Sequence, residues 1–268
     1  VYIETATELF EQLIPFSITK SIEKLVIIPD GKVGTIPFEA LLTEKTKQSN
    51  EDYSTYPYLI KKCEVSYCYS VNLYEQSLLK QSRSEGEMFL CAPIDFSRYT
   101  KNSLSNLPAT NDEVNSIKKM FTDNGIACSS YTGKEAQECM VKSKKLEEYN
   151  YLHFATHGIV DEINPELSEI YLAPDTTQKE DGNLYSGEIY NLKINADLVT
   201  LSACQTGLGK IQKGEGIIGL SRALLYAGAK NLVVSLWSVA DNSTSILMVD
   251  FYNYLLKDNK SANYSTYM

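Results

Sequence analysis

Cys204 follows a short run of apolar and β-branched residues (198–201), and three glycines lie within the ten residues after it. This pattern predicts a buried strand that ends in a loop. The cysteine then lies where the strand gives way to a glycine-rich backbone that can adopt many conformations. A thiol in that position has four interpretations: a small buried side chain, part of a phosphate-binding loop, a metal ligand or a nucleophile. The choice among them depends on what the rest of the chain supplies.

Neither a phosphate loop nor a metal site fits the spacing. The segment at Gly209 and Lys210 lacks the earlier glycine and the following Ser or Thr of a P-loop, and no GxGxxG motif is in register. His153 and His157 are four residues apart, a spacing that leaves them about 13 Å apart on the strand predicted here. Since no further ligand cluster lies nearby, we expect no metal and no cofactor.

A nucleophilic cysteine needs a base, and the chain contains two histidines. His153 lies inside an apolar run, which predicts a buried histidine with a satisfied hydrogen bond. His157 stands at the end of that run and precedes Gly158, whose backbone is free to point an N–H at a developing oxyanion. His157 also precedes Cys204 by 47 residues, close to the caspase spacing of about 50 between the histidine and a QACxG motif. Here "ACQ" matches that motif, but one extra residue, Thr206, comes before the glycine.

The elements that must position these residues alternate regularly after residue 87. The predicted strands cover 88–93, 126–132, 149–155, 169–174, 197–203 and 230–237, and the helices open at 110 or 111, 134, 186, 215 and about 242. Such alternation is typical of an α/β fold with a mostly parallel central sheet and helices on both faces. Because sites in these sheets form outside the carboxyl ends of the strands, we expect "HFATHG", "SACQTG" and "SLWSVAD" to meet at one edge.

The first part of the chain is less regular. Residues 3–19 predict an amphipathic helix and residues 71–80 a short one, and the polar stretch "QSRSEGE" (81–87) is the best candidate for a boundary. We therefore expect two regions, 1–86 and 87–268. Because the chain opens on Val1 and closes in a polar tail, we also expect it to be a segment of a longer protein.

Composition narrows the class of protein. The 268 residues carry a net charge of −9, which argues against a nucleic-acid surface and fits a basic protein or peptide partner. Six cysteines without a CxxC pair predict free thiols in a reducing compartment, so we expect a cytoplasmic protein. The sequence has no apolar run near 18 residues, and we predict no membrane span.

Three blocks of the sequence resemble one known family. "IIPDGKVGTIPFEALL", "HFATHG" and "VTLSACQTGLGKIQKGEGIIGLSRALLYAGAKNLVVSLWSVAD" are similar to the signature blocks of the CHAT-domain peptidases, relatives of caspases and separases, and occur in the family's order. The resemblance implies a caspase-like three-layer sandwich, with an accessory, pseudo-caspase-like region over 1–86 and a catalytic region over 87–268. It further implies a dyad of His157 as base and Cys204 as nucleophile, with oxyanion donors on the backbone N–H groups of Gly158 and Cys204.

The resemblance also points to the substrate. The block that ends in Asp241 resembles the separase segment with a specificity-pocket aspartate, and a carboxylate there would hold Arg or Lys before the scissile bond. Asp241 equally fits an N-cap of the last helix. Metacaspase relatives carry a pocket Asp two residues before the cysteine, where this chain has Ser202. Asp241 would then supply the acid alone or with Glu215, and Trp237 is a candidate for the pocket wall or for the core.

Together these features indicate a cysteine endopeptidase that cleaves proteins after a basic residue, and the resemblance implies that it acts as an activated effector in bacterial defence or signalling. Its relatives often follow tetratricopeptide repeats and respond to a sensor protein, so we expect such a region or partner, and no direct nucleic-acid or membrane partner. The alternative is a catalytically silent caspase-like scaffold that binds a partner. The intact pair of His157 and Cys204 favours the peptidase.

Overall fold

The computed structural model describes residues 1–46, 52–79, 86–99, 104–143, 145–161, 163–175, 180–202, 210–212, 216–237 and 239–257. The chain divides into two compact units, a smaller one made mainly of Val1–Gln76 and a larger one that begins at Ser77. Within the described ranges, every helix is too short or too polar to cross a bilayer.

The smaller unit is built around one pair of parallel strands. Its elements are α1 (Tyr2–Leu13), β1 (Lys24–Ile27), β2 (Glu64–Tyr67) and most of α2 (Val71–Leu79), with β1 paired to β2. Short 3-10 turns between the two strands carry Phe38 and Leu59 into an apolar core beside Val65 of β2. The three side chains are almost completely buried, so this unit has a hydrophobic core of its own.

The first helix is shorter than predicted. It ends at Leu13 instead of continuing to residue 19, and the next residue, Ile14, has φ −122° and ψ 78°. Pro15 is the physical reason, because a proline disfavours helical backbone at the residue before it. The short helix predicted at 71–80 is confirmed by α2.

From Glu87 onward a helix lies between each pair of consecutive strands of the central sheet, and two of these connections also contain short extra strands. In chain order the elements are β3 (Glu87–Ala92), α3 (Ala109–Asp123), β4 (Cys128–Thr132), α4 (Glu138–Ser143), β5 (Tyr149–Ala155), β6 (Gly158–Ile159), β7 (Glu169–Tyr171), β8 (Asn183–Tyr185), α5 (Ser186–Ile189), β9 (Leu198–Ser202), β10 (Lys210–Gln212), β11 (Gly216–Ile218), α6 (Leu220–Ala227), β12 (Leu232–Val234) and α7 (Asp241–Lys257). Five strands form a parallel sheet in the order β12-β9-β5-β3-β4. β6, β7 and β8 form a small antiparallel sheet, and β10 pairs with β11.

Alternating side chains of the central sheet face two helical layers. Phe154 of β5 belongs to the apolar core to which α4, α5 and α6 contribute. Tyr151 and His153 of the same strand face the other way: Tyr151 packs edge-to-face on Phe121 of α3, and His153 on Tyr252 of α7. The predicted α/β fold, a mostly parallel sheet with helices on both faces as in a caspase-like sandwich, is confirmed.

Some predicted element bounds were wrong. The helix expected from residue 215 begins at Leu220, because β-branched Ile217 and Ile218 enter strand β11 instead. The strand expected over 169–174 forms as β7, but it joins the small antiparallel sheet. The helix expected from residue 134 is reduced to α4, with a 3-10 turn over Gly133–Glu135 before it.

A close backbone contact fastens α6 to the segment that leads into β9. Gly228 follows the last residue of α6 with φ +119°, and a Cβ built on it would lie 1.8 Å from the carbonyl oxygen of Ile194. The Ile194 N–H in turn donates to the Ala227 carbonyl at 2.8 Å. Only glycine fits this left-handed, crowded position.

We predict that Gly228→Ala lowers the free energy of unfolding by about 3 kcal/mol or more, because it adds a backbone clash to left-handed strain. Gly125→Ala is the matched control: Gly125 has φ +78° but open space around its Cβ position, so only strain of about 1–2 kcal/mol applies. Urea denaturation measures both. Equal losses would contradict the close approach of Gly228 to Ile194.

Candidate active site

Three neighbouring strands end at one edge of the central sheet. β5, β9 and β12 lie side by side, with Ala155 paired to Ser202 and Leu201 paired to Val234. The Thr156 N–H donates to the Ser202 carbonyl at 3.3 Å, so β5 and β9 stay together beyond their last ladder pair. The strands that lead to the three predicted segments therefore meet as expected. Of the predicted site residues, Cys204 and Glu215 lie outside the described residues.

His157 is held in one orientation just past the end of β5. Its side chain is buried, with Nε2 2.7 Å from the backbone carbonyl oxygen of Ser105. A carbonyl oxygen only accepts hydrogen bonds, so Nε2 carries the proton and donates it, which leaves the lone pair on Nδ1. The ring of Phe96 packs edge-to-face on the imidazole at 4.6 Å between centroids. His157 thus has a fixed tautomer and a fixed ring plane.

The loop that supplies the Ser105 carbonyl is itself tied to the segment after β3. The Leu107 N–H donates to the Ile94 carbonyl at 2.9 Å, and the Phe96 N–H donates to Asn106 Oδ1 at 2.8 Å. Ile94 has φ +68°, the one positive value for a non-glycine residue in the described part of the chain. A β-branched residue in that region is strained, and such strain is typical of functional sites.

Sequence reasoning missed Phe96, Ser105 and Asn106. Ser105 acts through its backbone carbonyl, a group that every residue carries, so its side chain gives no signal. The available signal was topological: β3 lies next to β5 in the sheet, and the carboxyl ends of parallel strands share one edge. The loop that follows β3 was therefore a candidate for contact with His157.

Gly158 directs its amide away from the small antiparallel sheet. It pairs with Ile170 across β6 and β7, and the Tyr171 N–H donates to the His157 carbonyl at 2.9 Å. His157 and Tyr171 are therefore a hydrogen-bonded pair of the antiparallel ladder. Because hydrogen-bonded and non-hydrogen-bonded pairs alternate along such a ladder, Gly158 and Ile170 form a non-hydrogen-bonded pair. The Gly158 N–H accordingly points to the side of β6 opposite β7.

His153 is a core residue, as predicted. It is completely buried between β5 and the helices, where its Nε2 lies 2.8 Å from Glu113 Oε1 of α3, an ion-pair distance without the geometry of a hydrogen bond. Its Nδ1 lies 3.3 Å from the hydroxyl of Tyr252, which also contacts Thr200 Oγ1 at 2.8 Å. Both ring nitrogens of His153 thus face groups of the core, which leaves His157 as the histidine at the sheet edge.

The candidate substrate-binding residues occupy different positions at this edge. Ser202 ends β9 and is buried, whereas Trp237 follows β12 and leaves 54% of its surface exposed. Asp241 is the first residue of α7, and its Oδ2 accepts the N–H of Ala109, the first residue of α3, at 3.0 Å. The carboxylate therefore caps a neighbouring helix, a contact that neither sequence interpretation of Asp241 included.

An acidic cluster lies around α4, apart from the residues predicted for the site. Oxygens of Glu138, Glu180 and Glu188 lie within 4.8 Å of one another, beside a cavity of about 480 Å³. Lys142 Nζ lies 2.6–2.7 Å from an oxygen of each glutamate and so occupies the place a cation would take. Burial alone would lower the pKa of Lys142, but the three carboxylates raise it above its ordinary value. The cluster is an ion-pair network around a lysine.

Comparison with known proteins identifies relatives of the chain. The family model described as "CHAT domain" matches residues 4–264. A mouse (Mus musculus) protein described as "Tetratricopeptide repeat protein 28" is 23% identical over 192 aligned residues, which cover 58% of this chain and 7% of that protein. The human (Homo sapiens) protein of the same description is 33% identical over 79 residues, 30% of this chain and 3% of that protein. The chain thus spans less than a tenth of the length of these relatives.

We predict that Phe96→Ala speeds the reaction of His157 with diethyl pyrocarbonate several-fold, because the mutation removes the ring that covers the imidazole. His153, with 0% exposure, is the internal control and stays unmodified. Mass spectrometry of the two histidine peptides measures both rates. An unchanged rate at His157 would contradict the shielding, and faster modification of both histidines would instead indicate a loosened core.

Proposed function

Because the chain belongs to the CHAT-domain family, a caspase-like family related to proteases, we propose that it is a cysteine endopeptidase with His157 as base and Cys204 as nucleophile. The observation that carries the proposal is the hydrogen bond from His157 Nε2 to the Ser105 carbonyl at 2.7 Å. This bond fixes the proton on Nε2 and leaves Nδ1 ready to accept one. The imidazole is thereby set up as a general base.

The register of the sheet supports the pairing of these two residues. Ala155 of β5 lies opposite Ser202 of β9. His157 follows Ala155 by two residues, and Cys204 follows Ser202 by the same number. Neighbouring strands are about 4.8 Å apart. Because His157 and Cys204 each follow a paired residue by the same number of positions, this register favours a short distance between the thiol and the imidazole.

The reaction would proceed through an acyl-enzyme. His157 Nδ1 takes the proton of the Cys204 thiol, and the thiolate attacks the peptide carbonyl carbon. The backbone N–H groups of Gly158 and Cys204 then donate to the oxyanion, in keeping with the amide of Gly158 that points away from β7. The imidazolium protonates the leaving amine, and water hydrolyses the thioester with His157 again as base.

The substrate proposed for this site is a protein or peptide with Arg or Lys before the scissile bond. Asp241 supports this preference because it follows β12 at the same sheet edge and carries a partly exposed carboxylate. Ser202, Glu215 and Trp237 are the further candidates for the pocket, and the exposure of Trp237 favours a wall over a core position. The net charge of −9 also suits a basic substrate.

The setting of the domain is proposed from its relatives. Two of them are described as tetratricopeptide repeat proteins, which supports a domain that works beside such repeats. An activating sensor partner, a cytoplasmic location and an effector role in bacterial defence or signalling extend the proposal on the basis of the family resemblance.

We predict that an arginyl acyloxymethyl ketone labels Cys204, with the adduct located by mass spectrometry. Labelling should be lost in His157→Ala, which removes the base, and weakened in Asp241→Ala, which removes the acid that recognises arginine. Adducts spread over several cysteines, or labelling indifferent to His157, would contradict the peptidase and favour the silent scaffold.

Four of the five other thiols contribute little background to this experiment. Burial raises the pKa of Cys91 to about 12. It also raises the pKa of Cys63, Cys128 and Cys139 above the ordinary thiol value. Since the thiolate is the reactive form, these four residues react slowly at neutral pH.

A further inference from the structure

The loop over 104–108 links the backbone groups that His157 and Asp241 contact. Near its start, the Ser105 carbonyl accepts the proton of His157 Nε2 at 2.7 Å. At its end, the Ala109 N–H donates to Asp241 Oδ2 at 3.0 Å. Only three residues of the chain thus lie between Ser105, whose carbonyl orients the base, and Ala109, whose N–H binds Asp241.

Two side chains in the first two turns of α7 bind both backbone polar groups of Ala109, the first residue of α3. Asp241 accepts from the Ala109 N–H, and the Ser245 hydroxyl donates to the Ala109 carbonyl at 3.3 Å. Further along, the two helices are joined by the edge-to-face contact of Phe121 and Tyr252. Ala109 is therefore a fixed point, because it lies where two packed helices meet.

We propose that Asp241 is a positioning residue that fixes the 104–108 loop, so that the Ser105 carbonyl keeps His157 in its Nε2–H tautomer. The inference rests on the proposed role of His157 as base. It predicts an effect on the imidazole that is measurable without any substrate, so it can fail or hold independently of the peptidase assignment.

This role needs a different property of Asp241 from the one that substrate recognition needs. Capping Ala109 takes one acceptor oxygen, which asparagine also provides, whereas a bound arginine or lysine requires the negative charge. Asp241→Asn therefore separates the two roles, and Asp241→Ala removes both. Asp112→Asn is the matched control, since Asp112 is an exposed carboxylate in the first turn of α3.

The direct test is long-range ¹H–¹⁵N NMR of the imidazoles in mildly alkaline buffer. The chain has two histidines, so a His157→Ala spectrum assigns both. We expect the Nε2–H tautomer of His157 in the wild type, in Asp241→Asn and in Asp112→Asn, and a mixture of tautomers in Asp241→Ala.

A second readout follows the thiol. At neutral pH, we expect the rate of Cys204 alkylation by iodoacetamide to fall about tenfold or more in Asp241→Ala and less than about threefold in Asp241→Asn. With an arginyl peptide, Asp241→Asn should raise KM while kcat is largely kept. If Asp241→Ala unfolds, Asp241→Ser serves in its place: serine suits the start of a helix, but its oxygen lies one bond closer to the backbone and does not reach Ala109.

Loss of the fixed tautomer in a folded alanine or serine variant, with retention in Asp241→Asn, would support the proposal even if the arginyl probe labels nothing. An unchanged His157 signal in the folded alanine or serine variant would overturn it. Loss of the tautomer in folded Asp241→Asn would overturn it as well, because the acceptor oxygen is still present there.

Discussion

A single hydrogen bond, from His157 Nε2 to the carbonyl oxygen of Ser105, fixes the orientation and the tautomer of the histidine on which the proposed chemistry depends. An imidazole without that bond would exchange between tautomers and rotate, and its lone pair would have no fixed direction. The surrounding residues hold the two partners of this hydrogen bond in place. Phe96 covers the ring, Asn106 and Leu107 tie the loop to the segment after β3, and the ends of α3 and α7 hold its other end. Rigid support of this kind is what a preorganised base requires.

The central sheet supplies the second constraint. Parallel strands β5 and β9 pair Ala155 with Ser202, and the N–H of Thr156, the residue before His157, donates to the Ser202 carbonyl. Inside one helical layer, His153 and Glu113 are both almost completely buried and lie 2.8 Å apart. Removing one partner would leave a buried polar group unpaired, which is costly, so this pair ties α3 to the strand that carries His157.

Sequence patterns predicted the parts of this arrangement that depend on local chemistry. Apolar runs marked β5 and β9, and the position of His157 at the end of one run distinguished it from His153 inside it. The fold class followed from the alternation of strands and helices. In contrast, the Ser105 carbonyl carries no side-chain signal, and the contact between Asp241 and Ala109 spans 132 residues of chain. Contacts of that kind depend on how α3 and α7 pack, which periodicity alone does not determine. The end of α1 at Leu13 was, by contrast, predictable from the local sequence, because Pro15 follows two residues later, and the helix prediction did not take that proline into account.

A crystal structure of the reduced protein that resolves both His157 and Cys204 would show directly how the imidazole faces the thiol. We expect the imidazole to present Nδ1 to the Cys204 thiol within about 4 Å, while Nε2 stays on the Ser105 carbonyl. An imidazole that turns Nε2 toward the thiol, or a Cys204 sulfur directed away from His157 into the core, would contradict this expectation.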